Sequence, residues 1–307
     1  MSILAIGTVA FDSIETPFGS AERILGGSAT YITLAARYFA HDLGLVGVVG
    51  GDFPATYLDL LRERGIGLEG LEVDAEGKTF FWAGKYHYDL NERDTLTTDL
   101  NVLATFEPKV PEARKDAKIL CLGNLEPGIQ RSVVVQASDP DFVICDTMNF
   151  WIEHTPDSLT ETLKVIDCLI INDAEARELA NEPNLFKAAR SIQAMGPRIL
   201  VIKKGEHGAL LFAEGEIFAT PAYPLEDIFD PTGAGDTFMG GFAGYLARVQ
   251  RYDVDALRSA VVVGSAMASF TVEKFGPERL YNLSASEINA RIQAFHTLTV
   301  IPTVEVL

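Results

Sequence analysis

The chain has 307 residues, and its 25 basic residues stand against 43 acidic ones, which gives a formal net charge of −18 at pH 7. Nucleic acids and anionic membranes are bound by clustered Lys and Arg, so this charge argues against both kinds of partner. With 48% hydrophobic and 22% charged residues, the chain can bury a large core. The composition therefore predicts a globular protein whose anionic ligands are held locally, by backbone amides or a metal.

The N-terminal sequence MSILAIGTVAFDSI contains neither a basic flank nor a cleavage site, and it is typical of a first strand. Three cysteines, Cys121, Cys145 and Cys168, lie within or beside apolar runs and form no CxxC pair. This pattern favours buried, reduced thiols on strands over disulfides or a metal site. We therefore expect a cytoplasmic protein.

Taken in chain order, short β-branched runs alternate with amphipathic stretches. The predicted strands are residues 3–6, 45–49, 118–122, 142–145, 169–171 and 199–202. The predicted helices between them are residues 29–39, 55–64, 129–137, 158–165, 174–179 and 185–195. A hairpin (209–212 and 216–219) follows, then helices near 235–248, 254–270 and 285–295. Alternation of this kind predicts βαβ units built around a central parallel sheet, and the length fits either two domains or one large α/β unit.

Two segments, at about residues 12–24 and 71–106, interrupt the alternation. The second contains KTFFWAGKYHYDL and TLTTDLNVLATF, two strand-like stretches without a helix between them. It is typical of an antiparallel insertion, and its aromatic residues either bury one face or meet a ligand. We expect a small sheet that serves as a lid or a dimer clasp.

The sequence DPTGAGDTF, residues 230–238, directly precedes and opens the first of the long C-terminal helices. Glycines at 233 and 235 let a ligand approach the main chain, and the free amides of a helix N-terminus form an anion site. Asp236, in the first turn, opposes the helix dipole in the simplest interpretation. Beside phosphate, however, it is placed to act as a general base toward a hydroxyl group that attacks phosphorus.

This motif resembles the C-terminal signature of the PfkB/ribokinase superfamily of carbohydrate and nucleoside kinases. The resemblance implies a single ribokinase-like domain over residues 1–307. Its fold is a three-layer α/β/α arrangement with a mostly parallel sheet and a small β-sheet lid, which in some members forms a homodimer. It also implies ATP as co-substrate and Mg²⁺ as cofactor. The implied site residues are a catalytic base at Asp236, an anion hole at Gly233, Ala234 and Gly235, and a monovalent cation such as K⁺ near Asp230 and Thr232.

The N-terminal half carries the family's Gly-Gly pair, here Gly26 and Gly27, before a helix. Tyr31 stands where the family usually has Asn, a departure that argues against ribose itself. A Tyr at this place could stack on a sugar or ring face and offer one hydroxyl group. Asp12 matches the aspartate that holds substrate hydroxyls in the family, although a turn role explains it equally well from sequence alone.

The family's N-x-x-E motif corresponds to Asn172 and Glu175, which implies a role in placing Mg²⁺, directly or through water, and phosphate. The same two residues fit a helix capping box, and the two roles are compatible. The turn with Lys204, Gly205 and Gly208 resembles the loop that lies beside the nucleotide.

Two asparagines, Asn124 and Asn149, follow predicted strand ends. Ligands of open α/β sheets bind at such ends, so both are candidate substrate contacts, with ordinary loop polarity as the alternative.

The resemblance therefore implies an ATP-dependent kinase that transfers the γ-phosphoryl group to a hydroxyl of a sugar or polyol. A nucleoside or myo-inositol kinase is the alternative, and a catalytically idle sensor is a third reading. The intact Asp236 and the glycines before it favour an enzyme. Motifs of P-loop enzymes, HExxH hydrolases, dinucleotide-binding dehydrogenases and α/β-hydrolases are absent from the sequence.

Overall fold

A computed structural model describes residues 1–300 of the chain. In these residues there are thirteen strands: β1 (Ile3–Ile6), β2 (Ala10–Thr16), β3 (Gly19–Gly26), β4 (Leu43–Gly50), β5 (Ile66–Asp74), β6 (Phe81–Tyr86), β7 (Arg93–Asp99), β8 (Ile119–Leu122), β9 (Phe142–Cys145), β10 (Cys168–Asn172), β11 (Ile199–Lys203), β12 (Ala209–Ala213) and β13 (Glu216–Thr220). The α-helices of the same residues are α1 (Ser28–Ala36), α2 (Ala55–Glu63), α3 (Pro127–Gln136), α4 (Asn149–His154), α5 (Pro156–Leu163), α6 (Asp173–Ala180), α7 (Leu185–Gln193), α8 (Ala234–Val249), α9 (Val254–Thr271) and α10 (Ala285–Thr299).

Nine strands form one large sheet in the order β13-β12-β11-β10-β9-β8-β1-β4-β5. The seven strands in the order β11-β10-β9-β8-β1-β4-β5 run parallel to their neighbours. At the other edge, β12 pairs antiparallel with β11 and β13 pairs antiparallel with β12. The carboxyl ends of the parallel strands therefore meet at one edge, where ligands of open α/β sheets bind.

Helices cover both faces of this sheet, which explains why its central strands are apolar throughout. Along β1, Ile3 and Ala5 pack into a buried cluster with residues of α1, α8 and α9. Leu4 and Ile6 point the other way, into a cluster with residues of α3, α5, α6 and α7. The predicted three-layer α/β/α fold with a mostly parallel sheet is confirmed.

A second, four-stranded sheet has the order β3-β2-β6-β7. Strand β2 pairs antiparallel with β3 but parallel with β6, so this sheet is mixed rather than purely antiparallel. The predicted boundary at residue 71 also differs, because residues 71–74 belong to β5 at the edge of the large sheet. Leu68 and Leu71 of β5 pack against the buried cluster on that side, which ties the strand to the large sheet.

Most predicted elements of the large sheet correspond to observed ones, with smaller differences. Helix α4 precedes α5 and lies outside the predicted helices. The three cysteines are unpaired and buried on β8, β9 and β10, as expected. No helix in residues 1–300 combines the length and apolarity needed to cross a membrane. One domain over residues 1–307 stays a prediction, and residues 301–307 lie outside the described part.

Candidate active site

Helix α8 begins directly after Gly233, whose φ of 73° lies in the left-handed region. A side chain at this position would also collide with the ring of Tyr31, so conformation and packing both require glycine. In residues 1–300 the N–H groups of Gly233 and Gly235 have no protein acceptor, whereas that of Ala234 donates to the carbonyl oxygen of Pro231 at 3.2 Å. Two of the three predicted anion-hole amides are therefore free to bind a phosphate oxygen, and the third is not.

The turn before α8 is held by Asp230, which is completely buried. Its Oδ1 accepts the N–H of Thr232 and its Oδ2 accepts the N–H of Gly276, both at 2.8 Å. Burial raises the pKa of Asp230, and these hydrogen bonds partly oppose the rise. Asp230 thus joins the turn to the loop after α9; the predicted cation role of Asp230 and Thr232 stays a prediction.

Asp236 lies in the first turn of α8 and is partly buried. Its Oδ1 is buried and has no hydrogen-bond partner in the described residues. Burial, followed by the nearby carboxylate of Asp146, raises the pKa of Asp236 to about 7, against the opposing effect of Lys203 and Arg93. A carboxyl group that titrates near neutral pH and has an unused oxygen is suited to accept a proton from a hydroxyl group.

Lys203 and Asp146 lie close to Asp236, and neither was expected at this site from the sequence. Lys203 ends β11, and its Nζ lies 3.7 Å from Oδ2 of Asp146, which directly follows β9. The same Nζ lies 2.6 Å from the point that a Cβ on Gly235 would occupy. Lys204, the neighbouring residue expected at the nucleotide from the sequence, donates its backbone N–H to the carbonyl oxygen of Gly208 at 2.8 Å. A usable signal was present, since charged residues at the carboxyl ends of buried parallel strands face the ligand edge.

Asn172 and Glu175 form a capping box at the start of α6, as the sequence allows. Oδ1 of Asn172 accepts the N–H of Glu175, and Oε2 of Glu175 accepts the N–H of Asn172, each at 2.8 Å. Burial, then the charge of Asp146, raises the pKa of Glu175 to about 7, while Lys203 opposes the rise. The cap leaves Oε1 of Glu175 unused, so the cap and the predicted phosphate or Mg²⁺ role are compatible in the structure.

Asp12 lies on β2 of the small sheet and is buried. Burial, then the charges of Asp230 and Asp236, raises the pKa of Asp12 to about 8. A side chain at Gly26 would run into the Asp12 carboxylate, and Gly27 has a φ of 93°. The Gly-Gly pair therefore lets the chain pass from β3 into α1 beside this carboxylate. Asp12, a buried acid of the small sheet, thus lies near Asp230 and Asp236 at the start of α8.

Tyr31 is 1% exposed, and its ring packs against Gly233. The ring is therefore not available to stack on a substrate, one of the two roles considered for it. Its hydroxyl group has no partner in residues 1–300. Burial, then the charges of Asp230, Asp12 and Asp236, raises the pKa of Tyr31 well above its usual value. The hydroxyl consequently stays protonated, and a contact with substrate through it stays a prediction.

The two predicted asparagine contacts differ in their surroundings. Oδ1 of Asn124 accepts the indole N–H of Trp151 at 2.8 Å, and its Nδ2 lies 3.0 Å from the sulfur of Met148. Asn149 is exposed and begins α4. The amide group of Asn124 is thus already engaged by other side chains, and neither contact with substrate goes beyond a prediction.

The small sheet contacts both sides of the anion site. On one side the hydroxyl group of Thr232 donates to the hydroxyl oxygen of Tyr86, on β6, at 3.1 Å. On the other, a side chain at Gly205 would meet the amide group of Asn91, in the β6–β7 turn. Gly205 and Gly208 both have positive φ, 53° and 88° respectively, so this loop needs its glycines. The small sheet therefore contacts both the turn before α8 and the loop after β11.

The described residues contain no group of three or more His, Cys, Asp or Glu that could hold a metal by themselves. Mg²⁺ commonly keeps several waters and binds through one or two carboxylates together with substrate phosphates. The free Oε1 of Glu175, close to Asp146, fits that donor set. The site is therefore suited to a Mg²⁺ ion that arrives with a nucleotide.

Comparison with known proteins agrees with this geometry. Residues 3–281 match the pfkB family carbohydrate kinases. The chain is 28% identical over 251 residues to a cytidine kinase of Thermococcus kodakarensis, covering 80% of this chain and 88% of that protein. It is 26% identical over 313 residues to a nucleoside kinase of Methanothermobacter thermautotrophicus, covering 90% and 91%.

Among solved structures, the nucleoside kinase of Burkholderia thailandensis in complex with ADP-inosine has the same fold. It superposes with a TM-score of 0.78 at 22% sequence identity, covering 96% of both chains. The fold, the free amides at the start of α8 and the match over residues 3–281 lead to one conclusion. The chain belongs to the pfkB family of carbohydrate kinases, and it is an ATP-dependent kinase that phosphorylates a hydroxyl group of a small molecule.

Proposed function

We propose that this kinase transfers the γ-phosphoryl group of ATP to a hydroxyl group of a nucleoside. The observation that carries phosphoryl transfer is the pairing of free amides at the start of α8 with the unpartnered Oδ1 of Asp236. Support for a nucleoside comes from the cytidine and nucleoside kinases among the relatives. The sequence alone favours a sugar or polyol, with a nucleoside as the alternative.

In the proposed reaction, the acceptor hydroxyl gives its proton to Asp236 as its oxygen bonds to the γ-phosphorus. The bond from that phosphorus to the β–γ bridging oxygen breaks, and ADP leaves with the bonding electron pair. The amides of Gly233 and Gly235 donate to the phosphoryl oxygens, where charge must be stabilised. Asp12 accepts hydrogen bonds from other hydroxyl groups of the acceptor. The small sheet limits access of water, which would otherwise hydrolyse ATP.

We also propose both predicted cations for this site. Mg²⁺ would be held near Oε1 of Glu175, through water, and when bound it neutralises phosphate charge. K⁺ would lie near Asp230 and Thr232. The proposal also includes the other contacts predicted from the sequence. The nucleotide would be contacted by Asn172, Lys204, Gly205 and Gly208. The acceptor would be contacted by Gly26, Gly27, Tyr31, Asn124 and Asn149.

The test is release of ADP from MgATP across a panel of nucleosides, pentoses, hexoses and inositols. A nucleoside with the highest kcat/KM supports the proposal. A sugar or polyol with the highest kcat/KM contradicts it and supports the second candidate, a carbohydrate kinase, which the match of residues 3–281 to the pfkB carbohydrate kinases favours.

The role of Asp236 has a matched control in this chain. Asp236→Asn should lower kcat by about 10²–10⁴-fold, the usual effect of losing a general base, while calorimetry still detects ATP binding. Asp255 also lies in the first turn of a helix, α9, but it is exposed and pairs with Arg258. Asp255→Asn should leave kcat unchanged. A near-normal kcat for Asp236→Asn would refute the assignment.

We further propose that the small sheet mediates a homodimer. Phe18, Leu96 and Leu100, in or beside its strands, are each about half exposed, at 52%, 59% and 49%. Exposed apolar side chains on this small sheet favour its association with a second copy. Sedimentation of the purified protein at several concentrations should give the mass of a dimer; a monomer throughout contradicts this proposal.

A further inference from the structure

Asp52, two residues beyond the end of β4, joins the small sheet to the large one. Its Oδ1 accepts both the backbone N–H and the hydroxyl group of Thr79, each at 2.7 Å. Thr79 is 1% exposed and lies just before β6. Its hydroxyl oxygen in turn accepts the N–H of Gly50, the last residue of β4, at 3.0 Å. The start of β6 is therefore fixed to the carboxyl end of a strand of the large sheet.

The other oxygen of the same carboxylate holds a second strand of the small sheet. Oδ2 of Asp52 lies 3.3 Å from Nη2 of Arg23, on β3, and the Arg23 guanidinium lies 4.3 Å from the centre of the Phe11 ring. Burial alone would raise the pKa of Asp52, but hydrogen bonds with Thr79 and Arg23 outweigh it and lower that pKa. Asp52 is thus ionised at neutral pH, and its bonds to both strands are charge-assisted.

Arg23 lies at an irregularity in the pairing of β2 with β3. The register shifts between Asp12 and Ile14, and the N–H of Arg23 donates to Oγ of Ser13 at 3.0 Å. Arg23 has a φ of 47°, a conformation that a residue other than glycine keeps where its surroundings hold it. A bulge in a strand changes the direction of the side chains beside it, and here the adjacent side chain is that of Asp12.

The order of the small sheet, β3-β2-β6-β7, places β2 between the two strands that Asp52 holds. The N–H of Phe11, on β2, also donates to the carbonyl oxygen of Phe80, just before β6, at 3.0 Å. Asp12 is the next residue of β2, so its position relative to the large sheet is set from both sides. Helix α8, which carries Asp236, packs on that same large sheet.

We propose that Asp52 is a positioning residue for the acceptor: by holding Arg23 on one side and Thr79 on the other, it sets the place of Asp12 relative to Asp236. This inference rests on the proposed function, in which Asp12 binds hydroxyl groups of the acceptor. The free amides of the anion site lie at the start of α8 and not on the strands that Asp52 holds. Binding of ATP should therefore not depend on Asp52.

The first test compares Asp52→Ala with Glu15→Gln. Glu15, on β2, is the matched control because its carboxylate pairs with Lys85 of β6 at 2.6 Å, within the small sheet alone. With the best acceptor of the panel, Asp52→Ala should lower kcat/KM about 10- to 100-fold, chiefly through a higher KM, as expected when a binding group moves by about 1 Å. Calorimetry without an acceptor should give the wild-type Kd for ATP. Glu15→Gln should change neither quantity.

A merely structural role for Asp52 would give a different pattern. If Asp52→Ala weakens ATP binding as much as it raises the acceptor KM, or leaves kcat/KM normal, the proposal is overturned. Should Asp52→Ala fail to fold, Arg23→Ala takes its place, because the Arg23 side chain is 57% exposed. Arg23→Ala should raise the acceptor KM about two- to fivefold, the range for an exposed ion pair, and an unchanged KM would overturn the proposal.

A second measurement needs no acceptor. Hydrogen exchange at the Phe11 amide should be about tenfold or more faster in Asp52→Ala than in the wild type or Glu15→Gln, because β2 and β6 lose their common anchor. Equal exchange in the three proteins would refute the positioning role. If the wild type phosphorylates no compound of the panel, the proposed function fails, and the exchange rates still decide whether Asp52 holds β2 in place.

Discussion

The contact between Tyr31 and Gly233 leads to a quantitative prediction about stability. Gly233 has a φ of 73°, and a Cβ there would collide with the Tyr31 ring. Gly215, in the β12–β13 turn, has a φ of 79° and no neighbouring atom within 4 Å of the same point. The two glycines therefore share a backbone requirement, and only one of them has a steric requirement in addition.

The expected losses follow from that difference. A non-glycine residue in the left-handed region costs about 1–2 kcal/mol, so Gly215→Ala should lower the free energy of unfolding by that amount. Forcing a methyl group into a packed site adds about 1–3 kcal/mol, so Gly233→Ala should lower it by about 2–5 kcal/mol in total. The difference between the two variants measures the contact with the Tyr31 ring.

Urea unfolding of both variants gives their free energies of unfolding. The dependence of that free energy on urea concentration, m, should equal the wild-type value, so that the midpoints can be compared directly. A double-mutant cycle with Tyr31→Leu should then show coupling between positions 31 and 233, because the smaller side chain makes room for the methyl group. Equal losses for Gly215→Ala and Gly233→Ala, together with no coupling in the cycle, would refute the argument that the ring is what excludes a side chain.

Two further predictions concern a cation and the response to acid. If a monovalent cation binds near Asp230 and Thr232, kcat should be higher in K⁺ than in Na⁺ or choline, and equal rates in the three salts would exclude an activating ion. Glu287 caps α10 with Ser284 and pairs with Arg279, and these contacts lower its pKa from an ordinary 4.5 to about 2. Because the folded pKa is the lower one, this stabilisation is complete above pH 4.5 and is lost as pH falls toward 2. Glu287→Gln should therefore show a shallower fall of Tm over that interval than the wild type, and parallel curves would contradict the assignment.

The large sheet was predictable because its physical signal is local. Strands covered on both faces need continuous apolar runs, and the runs at 142–145 and 199–202 contain nothing else. The start of α8 was predictable for a related reason, since two glycines and an acidic residue at a helix N-terminus are a combination with few other uses. Strand β5 carried a weaker signal, because an edge strand with glycines and exposed acidic side chains looks like the insertion that follows it.

Lys203 and Asp146 show where the sequence alone was insufficient. Each is a single charged residue at a strand end, and the choice between adjacent Lys203 and Lys204 depends on which side chain points to α8. That direction is set by tertiary packing, which brings β9 and β11 beside the first turn of the helix. Tyr31 is a similar case: its sequence position predicted a substrate contact, but whether its ring is exposed depended on how α1 packs against Gly233.

The buried carboxylate of Asp230 has a consequence for the cost of binding an anion. It accepts hydrogen bonds from Thr232, just before α8, and from Gly276, just after α9. A single carboxyl group therefore fixes these two stretches of chain to one another. The turn that carries Gly233 and Gly235 cannot rearrange without displacing the other loop. The amide dipoles are therefore oriented when the chain folds, and little reorganisation remains when a phosphate arrives. Stabilisation by such prearranged dipoles is strongest at the moment when charge moves between donor and acceptor.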